Sequence, residues 1–513
     1  MAPLHPDPTL ALYAACLATS AVVGLTYNRR CNVEAGFLQD RTVTVDHGPR
    51  AEPPRRAVFV LVDGLSLEGA RSLPGVARMA RHGHCAETAL RQPTMSMPTY
   101  TEFSTGLEPS RTGVRSNAWD GPAAPEDTWH MARARGLSTA LQSDGPWWAD
   151  LFPGAFDVHV RSRDAWEQTA ALGRVIVIHE LAPDDAGHAD GAASPEYAAA
   201  VQHTGERLDR LLAALDLERD LLLFTSDHGH RPLGGHGGNE DDIAVVLTCA
   251  VGRGVVARPG RSTLDATAVA PLWALLTGDR FPRHLRVGPG DGLDAIWAWA
   301  DPRVLGDGVM AARRAAVVRG RAGASALLRD LGAEDWDALE AQGHRAQARQ
   351  WSVGLAALLL AACAWAWRRH RSPTVVLLAV AVLGLPAAAL WLWKGTFSLS
   401  MISTRLSFVV FTSAVTLAAA AVAGWIVRHR VAAVLALAAV LGTAVAVLHV
   451  VIHGWQVGYP WPAPALAVLP YYLTVVTCTV CLPGAALRRR MWTPSGGGCL
   501  SVHPRPQRAR PRR

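Results

Sequence analysis

Residues 57–287 predict an α/β domain built on a mostly parallel sheet with helices on both faces, and the chain beyond residue 350 predicts a multi-helix transmembrane domain. Short apolar runs at 57–62, 175–178 and 221–224, each bounded by polar residues, read as strands buried on both sides. Between them lie longer segments such as 196–215, EYAAAVQHTGERLDRLLAAL, whose apolar residues recur three and four apart, as in a helix with one buried face. Strands alternating with helices imply crossovers and a parallel sheet.

Along the chain the segments follow in order. Residues 1–27 hold an apolar run, 10–27, long enough to span a bilayer; no small-residue cleavage site ends it, so it reads as an uncleaved signal anchor. Residues 28–56 are a polar linker with Pro and Arg, and 57–287 form the α/β domain. Residues 288–350 read as a connecting, partly helical segment, Ala- and Arg-rich from 310 onward. Apolar runs at 351–367, 373–393, 407–427, 431–453 and 463–486 each approach the ~20 residues of a spanning helix, and make 351–486 a five-helix transmembrane domain. Residues 487–513 are a basic tail.

Charge orients this arrangement. Arg368, Arg369 and Arg371, then Arg428 and Arg430, then Arg488, Arg489 and Arg490 follow alternate apolar runs, so they share one membrane face, which the positive-inside rule makes cytoplasmic. The α/β domain is then extracytoplasmic, although Arg29 and Arg30 after the first run point the other way. The net charge of +7 does not indicate nucleic acid, because residues 57–287 hold more Asp and Glu than Arg. The basic loops instead fit anionic membrane lipids as partners. Cys31, Cys85 and Cys249 would face an oxidising compartment, with no pairing deducible from spacing.

Acidic and histidine residues collect where the expected strands end: Asp63 in VFVLVDGL, Asp184 and His188 in PDDAGH, Asp227 and His228 in LLLFTSDHGH, and His236 in GGHGG. Strand ends form the crevice of an open α/β sheet, so these side chains would converge. Carboxylates and imidazoles suit Zn²⁺ or Mn²⁺, and two divalent ions about 4 Å apart can clamp a phosphoryl group. Any one of these residues alone would be read as a turn former or helix cap. QPTMSMPTYTEFSTG supplies two candidate hydroxyl nucleophiles, Ser96 and Thr94, and Asn117 lies downstream. His82, His84, His179 and His230 read as structural histidines, and Trp147 and Trp148 as buried packing. Gly234, Gly235, Gly237 and Gly238 fit a tightly bent backbone around His236.

The order Asp, Ser/Thr, Asp-x-x-x-His, Asp-His, His resembles that of the alkaline phosphatase superfamily over residues 57–287. The segments look most like its type I phosphodiesterase/nucleotide pyrophosphatase branch and the related GPI-anchor ethanolamine-phosphate transferases. The resemblance implies an alkaline phosphatase-like fold and Ser96 as nucleophile, two residues before Pro98 and in a run closed by Thr105-Gly106. It makes Asp184, His188 and His236 ligands of one metal, and Asp63, Asp227 and His228, with Ser96, ligands of the other. Asn117 takes the place of an asparagine that contacts a phosphate oxygen.

Together these features imply a membrane-bound, two-metal phosphodiesterase or phosphotransferase. It would act through phospho-Ser96 on a lipid- or glycan-linked phosphodiester such as phosphoethanolamine. A nucleotide pyrophosphatase-type hydrolase is the nearest alternative. A sulfatase is disfavoured because Tyr100 stands where that family's pattern has Arg. A membrane scaffold with an inactive enzyme domain is disfavoured because every metal position is filled.

Overall fold

The computed structural model describes residues 43–343 apart from 46, 47, 118, 259 and 261, then 372–395, 400, 405–427 and scattered positions between 346 and 444. The apolar runs at 10–27, 351–367 and 463–486, most of 431–453, and the tail lie outside the described residues.

AVFVLV forms strand β1 (Ala57–Val62), every residue of which is buried. Its side chains alternate: Ala57, Phe59 and Leu61 enter one core, while Val58, Val60 and Val62 enter the other. A strand with two apolar faces must be covered on both. The remaining strands are β2 (His84–Ala89), β3 (Thr139–Gln142), β4 (Val158–Val160), β5 (Val175–Glu180), β6 (Leu221–Ser226), β7 (Val245–Gly252) and β8 (Thr263–Asp265). They form one eight-stranded sheet in the order β4-β3-β5-β1-β6-β7-β2-β8. Five neighbouring pairs run parallel, while β7 runs antiparallel to both β6 and β2, so the sheet is mixed and mostly parallel.

Two layers of helices close the faces. Helices α1 (Leu67–Ser72), α2 (Pro74–His82) and, further on, the long helix Pro195–Ala214 cover the Val58 face, burying Val76, Met79, Val201, Leu208 and Leu211. The long helix starts where Ser194 accepts from the Tyr197 N–H and Pro195 takes the first turn, both standard helix-start chemistry. On the Phe59 face lie α3 (Ser96–Thr105) and, later in the chain, helices Val269–Leu276 and Asp307–Asp330. Phe59 meets Trp129 and Trp273 edge-on at 5.3 and 5.4 Å between ring centroids. Residues from the segment read as a connector, among them Met310, Val317, Leu328 and Trp336, are buried in this same core.

The centre of the sheet positions the site. β1 lies between β5 and β6, parallel to both, with Val62 opposite Glu180 and Ser226. The chain therefore leaves all three strands at one edge and one level. Asp63 and Asp227 follow directly, and Asp184 and His188 come on helix α4 (Ala182–Ala189), placed before the long helix, now α5. The helices Val269–Leu276 and Asp307–Asp330 are α6 and α7 in chain order.

Beyond the domain stand two long apolar helices, α8 (Pro373–Lys394) and α9 (Arg405–Val427). By length and composition, α8 and residues Val410–Val427 are able to cross a membrane. Ala379 and Val382 of α8 share one buried apolar cluster with Ala419 and Ala423 of α9, while Leu377, Leu392, Val422 and Trp425 are exposed. Cys85 and Cys249, opposite each other on β2 and β7, form a disulfide.

Candidate metal centre

Each expected ligand arrives by its own local route, and all reach one edge of the sheet. Gly64 turns the chain out of β1 with φ +68°, and a Cβ there would stand 2.7 Å from Asp184 Cα, so glycine alone allows Asp63 and Asp184 to sit side by side. On α4 the four-residue spacing of Asp184 and His188 puts both on one face, 3.5 Å apart. His236 is delivered by the glycine-rich loop, where Gly234, Gly235 and Gly237 all take positive φ.

Two groups of donors result. Asp63, Asp227 and His228 are buried together, with His228 Nε2 3.4 Å from Asp63 Oδ1 and 3.3 Å from Asp227 Oδ2. Asp184, His188, His230 and His236 form the other group, with His188 and His236 Nε2 atoms 3.2 Å apart. Within each group the donor atoms lie no more than 4.8 Å from one another.

The chemistry of these donors fits divalent ions. Burial, then the charges of Asp63 and Asp184, push the Asp227 carboxyl well above its ordinary range. Carboxylates so crowded in a dry site need a cation nearby. Asp63 Oδ1 and Asp227 Oδ2 have no hydrogen-bond partner among the described residues, and both are turned toward His228 Nε2. Burial, then neighbouring histidines, hold His228 well below its usual value; burial likewise brings His236 to about 4. Neutral imidazoles keep a free lone pair for a metal.

Backbone carbonyls select the nitrogen that is left free. Nδ1 of His236 lies 3.0 Å from the Thr94 carbonyl, and Nδ1 of His228 lies 3.2 Å from that of Gly229. Donation from Nδ1 leaves each Nε2 unprotonated and facing the site, the usual arrangement behind a metal-bound histidine.

Ser96 is the first residue of α3, so its hydroxyl sits at the positive end of the helix dipole. Its Oγ is 3.5 Å from His228 Nε2 and 3.3 Å from Asn117 Nδ2. Asn117 Oδ1 accepts from the Met97 N–H at 3.0 Å, which fixes the amide with its NH₂ toward Ser96. Thr94 faces elsewhere: its hydroxyl donates to Gly238 O at 2.7 Å and accepts from Gly237 N–H at 3.1 Å. It pins the His236 loop and does not point at the site of reaction.

Residues outside the expected ligand set also sit against the site, among them His179 and His230, which the sequence reading treated as structural. Tyr100, one turn after Ser96, donates its hydroxyl to Asp63 Oδ2, and His179 Nε2 lies 2.8 Å from that hydroxyl and 3.2 Å from Asp63. The Tyr100 in place of a sulfatase arginine thus holds a metal-type carboxylate. His179 and Glu180 end a strand that is apolar up to that point, which was the available signal. His230 packs within 2.7 Å of Asp184 Oδ1. Trp148 is fully buried, stacked on Tyr100 at 4.9 Å, whereas Trp147 is partly exposed.

The glycine-rich loop also touches α8 and the residues beyond it. The Lys394 ammonium donates to the carbonyls of Leu233 and Gly234. Ser400 accepts from Gly238 N–H at 2.9 Å and donates to Glu240 at 2.8 Å.

Comparison with known proteins places these features. GPI ethanolamine phosphate transferase 2 of Yarrowia lipolytica is 23% identical over 298 residues, which cover 51% of this chain and 34% of that protein, so the match spans about a third of the relative's length. Among solved structures, human ectonucleotide pyrophosphatase / phosphodiesterase 5 matches with a TM-score of 0.38 and 14% identity, over 45% of this chain and 96% of that one. A Vibrio parahaemolyticus protein of the alkaline phosphatase superfamily matches with a TM-score of 0.36 and 11% identity, over 54% and 77%. A family model described as type I phosphodiesterase / nucleotide pyrophosphatase matches residues 57–170. That span ends before Asp184. The matched span carries Asp63, Ser96 and Asn117, and its similarity is to the type I phosphodiesterase / nucleotide pyrophosphatase family that the motifs resemble.

Proposed function

We propose that this protein is a membrane-bound phosphodiesterase or phosphotransferase that works through a phospho-Ser96 intermediate on a lipid- or glycan-linked phosphodiester such as phosphoethanolamine. The observation that carries the proposal is the Ser96 hydroxyl, at a helix N-terminus and 3.5 Å from a histidine shared with two buried carboxylates. A hydroxyl needs activation to act as a nucleophile.

Asp184, His188 and His236 would hold one ion, and Asp63, Asp227 and His228 the other, Zn²⁺ or Mn²⁺ by donor type. When bound, such ions lower the pKa of a hydroxyl and withdraw charge from phosphoryl oxygens. Ser96 Oγ forms a bond to phosphorus as the bond to the leaving oxygen breaks, and the proton lost from the serine hydroxyl ends on that oxygen. Asn117 Nδ2 stands 3.3 Å from Oγ, where it can donate to a phosphoryl oxygen as charge builds. In the second half an acceptor oxygen attacks phosphorus, its proton passes to Ser96 Oγ, and the serine leaves.

A substrate anchored in lipid is supported by several features. The relative's name assigns it ethanolamine phosphate transfer to GPI. Helices α8 and α9 expose large apolar side chains, as a bilayer would accept. Lys394 and Ser400 join the end of α8 and the residues after it to the loop that carries His236, so the site would open close to the membrane surface. The Cys85–Cys249 disulfide fits an extracytoplasmic domain. Hydrolysis of a nucleotide-type diester is the second reading, supported by the family match over residues 57–170.

Purified full-length protein should cleave a nitrophenyl phosphodiester, lose that activity to a chelator, and regain it with Zn²⁺ or Mn²⁺. Full activity after exhaustive chelation would rule out the two-ion mechanism. Supplying a phosphoethanolamine lipid with a glycan acceptor, and weighing glycan product against free phosphoethanolamine, separates transfer from hydrolysis.

A further inference from the structure

His230 is the one imidazole of the cluster that neither the motifs nor the proposed chemistry employs. It follows Asp227-His228 by two residues and is 1% exposed. Its ring sits at the meeting of α4 and the chain after β6. Nε2 is 2.7 Å from Asp184 Oδ1, and the ring centroid lies 4.9 Å from that of His188 and 5.1 Å from that of His236. Its donor atom lies within the same 4.8 Å limit as the three expected ligands. Nδ1 has no hydrogen-bond partner among the described residues, so no bond there holds the ring for a purely structural purpose.

The backbone leaves room for this ring. A Cβ at position 187 would stand 2.4 Å from His230 Cδ2 and 2.5 Å from Cγ. Gly187, between Asp184 and His188 on α4, is what admits a third imidazole beside those two ligands.

We infer that His230 is a fourth protein donor to the ion held by Asp184, His188 and His236. The inference rests on the two-ion reading above. It makes the two sites unequal. Four protein donors would hold an ion more tightly than three, so an ion bound here should exchange slowly. The Asp63, Asp227 and His228 site has three donors and keeps a position for Ser96 Oγ.

The test uses zinc and the full-length protein in detergent. Asp227→Asn weakens the three-donor site and leaves one tightly bound zinc. X-ray absorption should then count three imidazoles around that zinc, falling to two in Asp227→Asn/His230→Gln, with release to a chelator faster by about tenfold or more. His230→Leu provides a second version, and near-ultraviolet circular dichroism identifies whichever variant is folded. An unchanged imidazole count overturns the inference, even with faster release, because His230 would then only orient Asp184 through a hydrogen bond. A different failure marks the underlying reading: if Asp227→Asn/His188→Ala still holds one zinc as firmly, the ion is not at this cluster.

Discussion

At the scale of residues, the site depends on small groups that choose which atom faces the chemistry. Tyr100→Phe removes the hydroxyl donated to Asp63 while keeping the ring stacked on Trp148. Loss of such an outer partner should weaken binding of the ion at Asp63, Asp227 and His228 about 10- to 100-fold, read by chelator competition. Unchanged affinity would mean that Asp63 is oriented by His179 alone. Thr94→Ala should act differently, because its hydroxyl holds the backbone of Gly237 and Gly238 and is buried. The expected cost is about 1–3 kcal/mol of stability, with turnover largely retained per folded molecule. The sequence singled out Asp63, Ser96, Asp184, His188, Asp227, His228 and His236, which the fold brings together, because each sits beside a strand end or in a short motif. It did not disclose Tyr100 and His179 as their supports, since a hydroxyl–carboxylate contact across 37 residues has no local signature. His230 was legible only as another histidine; the space that Gly187 makes for it belongs to packing between elements.

At the scale of elements, the register of β5, β1 and β6 delivers the donors to one level, and the turn at Gly64 lets α4 approach. Gly64→Ala should lower both stability and metal binding, because the new methyl meets the Asp184 backbone in a left-handed conformation. Retention of both would show that α4 can retreat. The helices are also secured by a buried charge cluster behind the site. Burial raises the Glu108 carboxyl, but Arg111, then Arg286 and Arg91, overcome this and hold it at about 2, below the ordinary value of 4.5. The unfolded chain therefore takes up a proton at higher pH than the folded one. The stabilisation from Glu108 is complete above about pH 4.5 and is lost as pH falls toward 2, a total of about 3 kcal/mol. Thermal melts of Glu108→Gln should start from a lower midpoint at neutral pH and fall less steeply below pH 4.5 than those of the native protein. Parallel curves would remove Glu108 from the acid response. The strands β1, β5 and β6 and helix α5 were legible from apolar runs and three-to-four spacing. The antiparallel placement of β7 between β6 and β2 was not, because a strand's direction is set by its connections and not by its composition.

At the scale of the whole molecule, the α/β domain meets the end of α8 and Ser400 through contacts at the His236 loop. Lys394→Met removes the ammonium that caps the Leu233 and Gly234 carbonyls, and should lower turnover several-fold while membrane association is unchanged. Equal turnover would make the contact incidental. On the positive-inside reading of the Arg clusters, protease added to intact cells should cut within residues 57–343, and protection there with cutting in lysed cells would invert the topology. The distribution of apolar residues made the α/β domain and the long apolar helices α8 and α9 legible. The packing of α7 into the domain core was less so, because an Ala- and Arg-rich helix shows only a weak buried stripe. The central claim is that Ser96 carries the phosphoryl group between donor and acceptor. Rapid acid quenching of the full-length protein turning over a phosphodiester, followed by peptide mass mapping, tests it directly. The account predicts a phosphoryl adduct on Ser96 that is absent after chelation and absent in Ser96→Ala, which should also lose several orders of magnitude in rate while keeping its metal. An adduct on Thr94, or full turnover by Ser96→Ala, would contradict it.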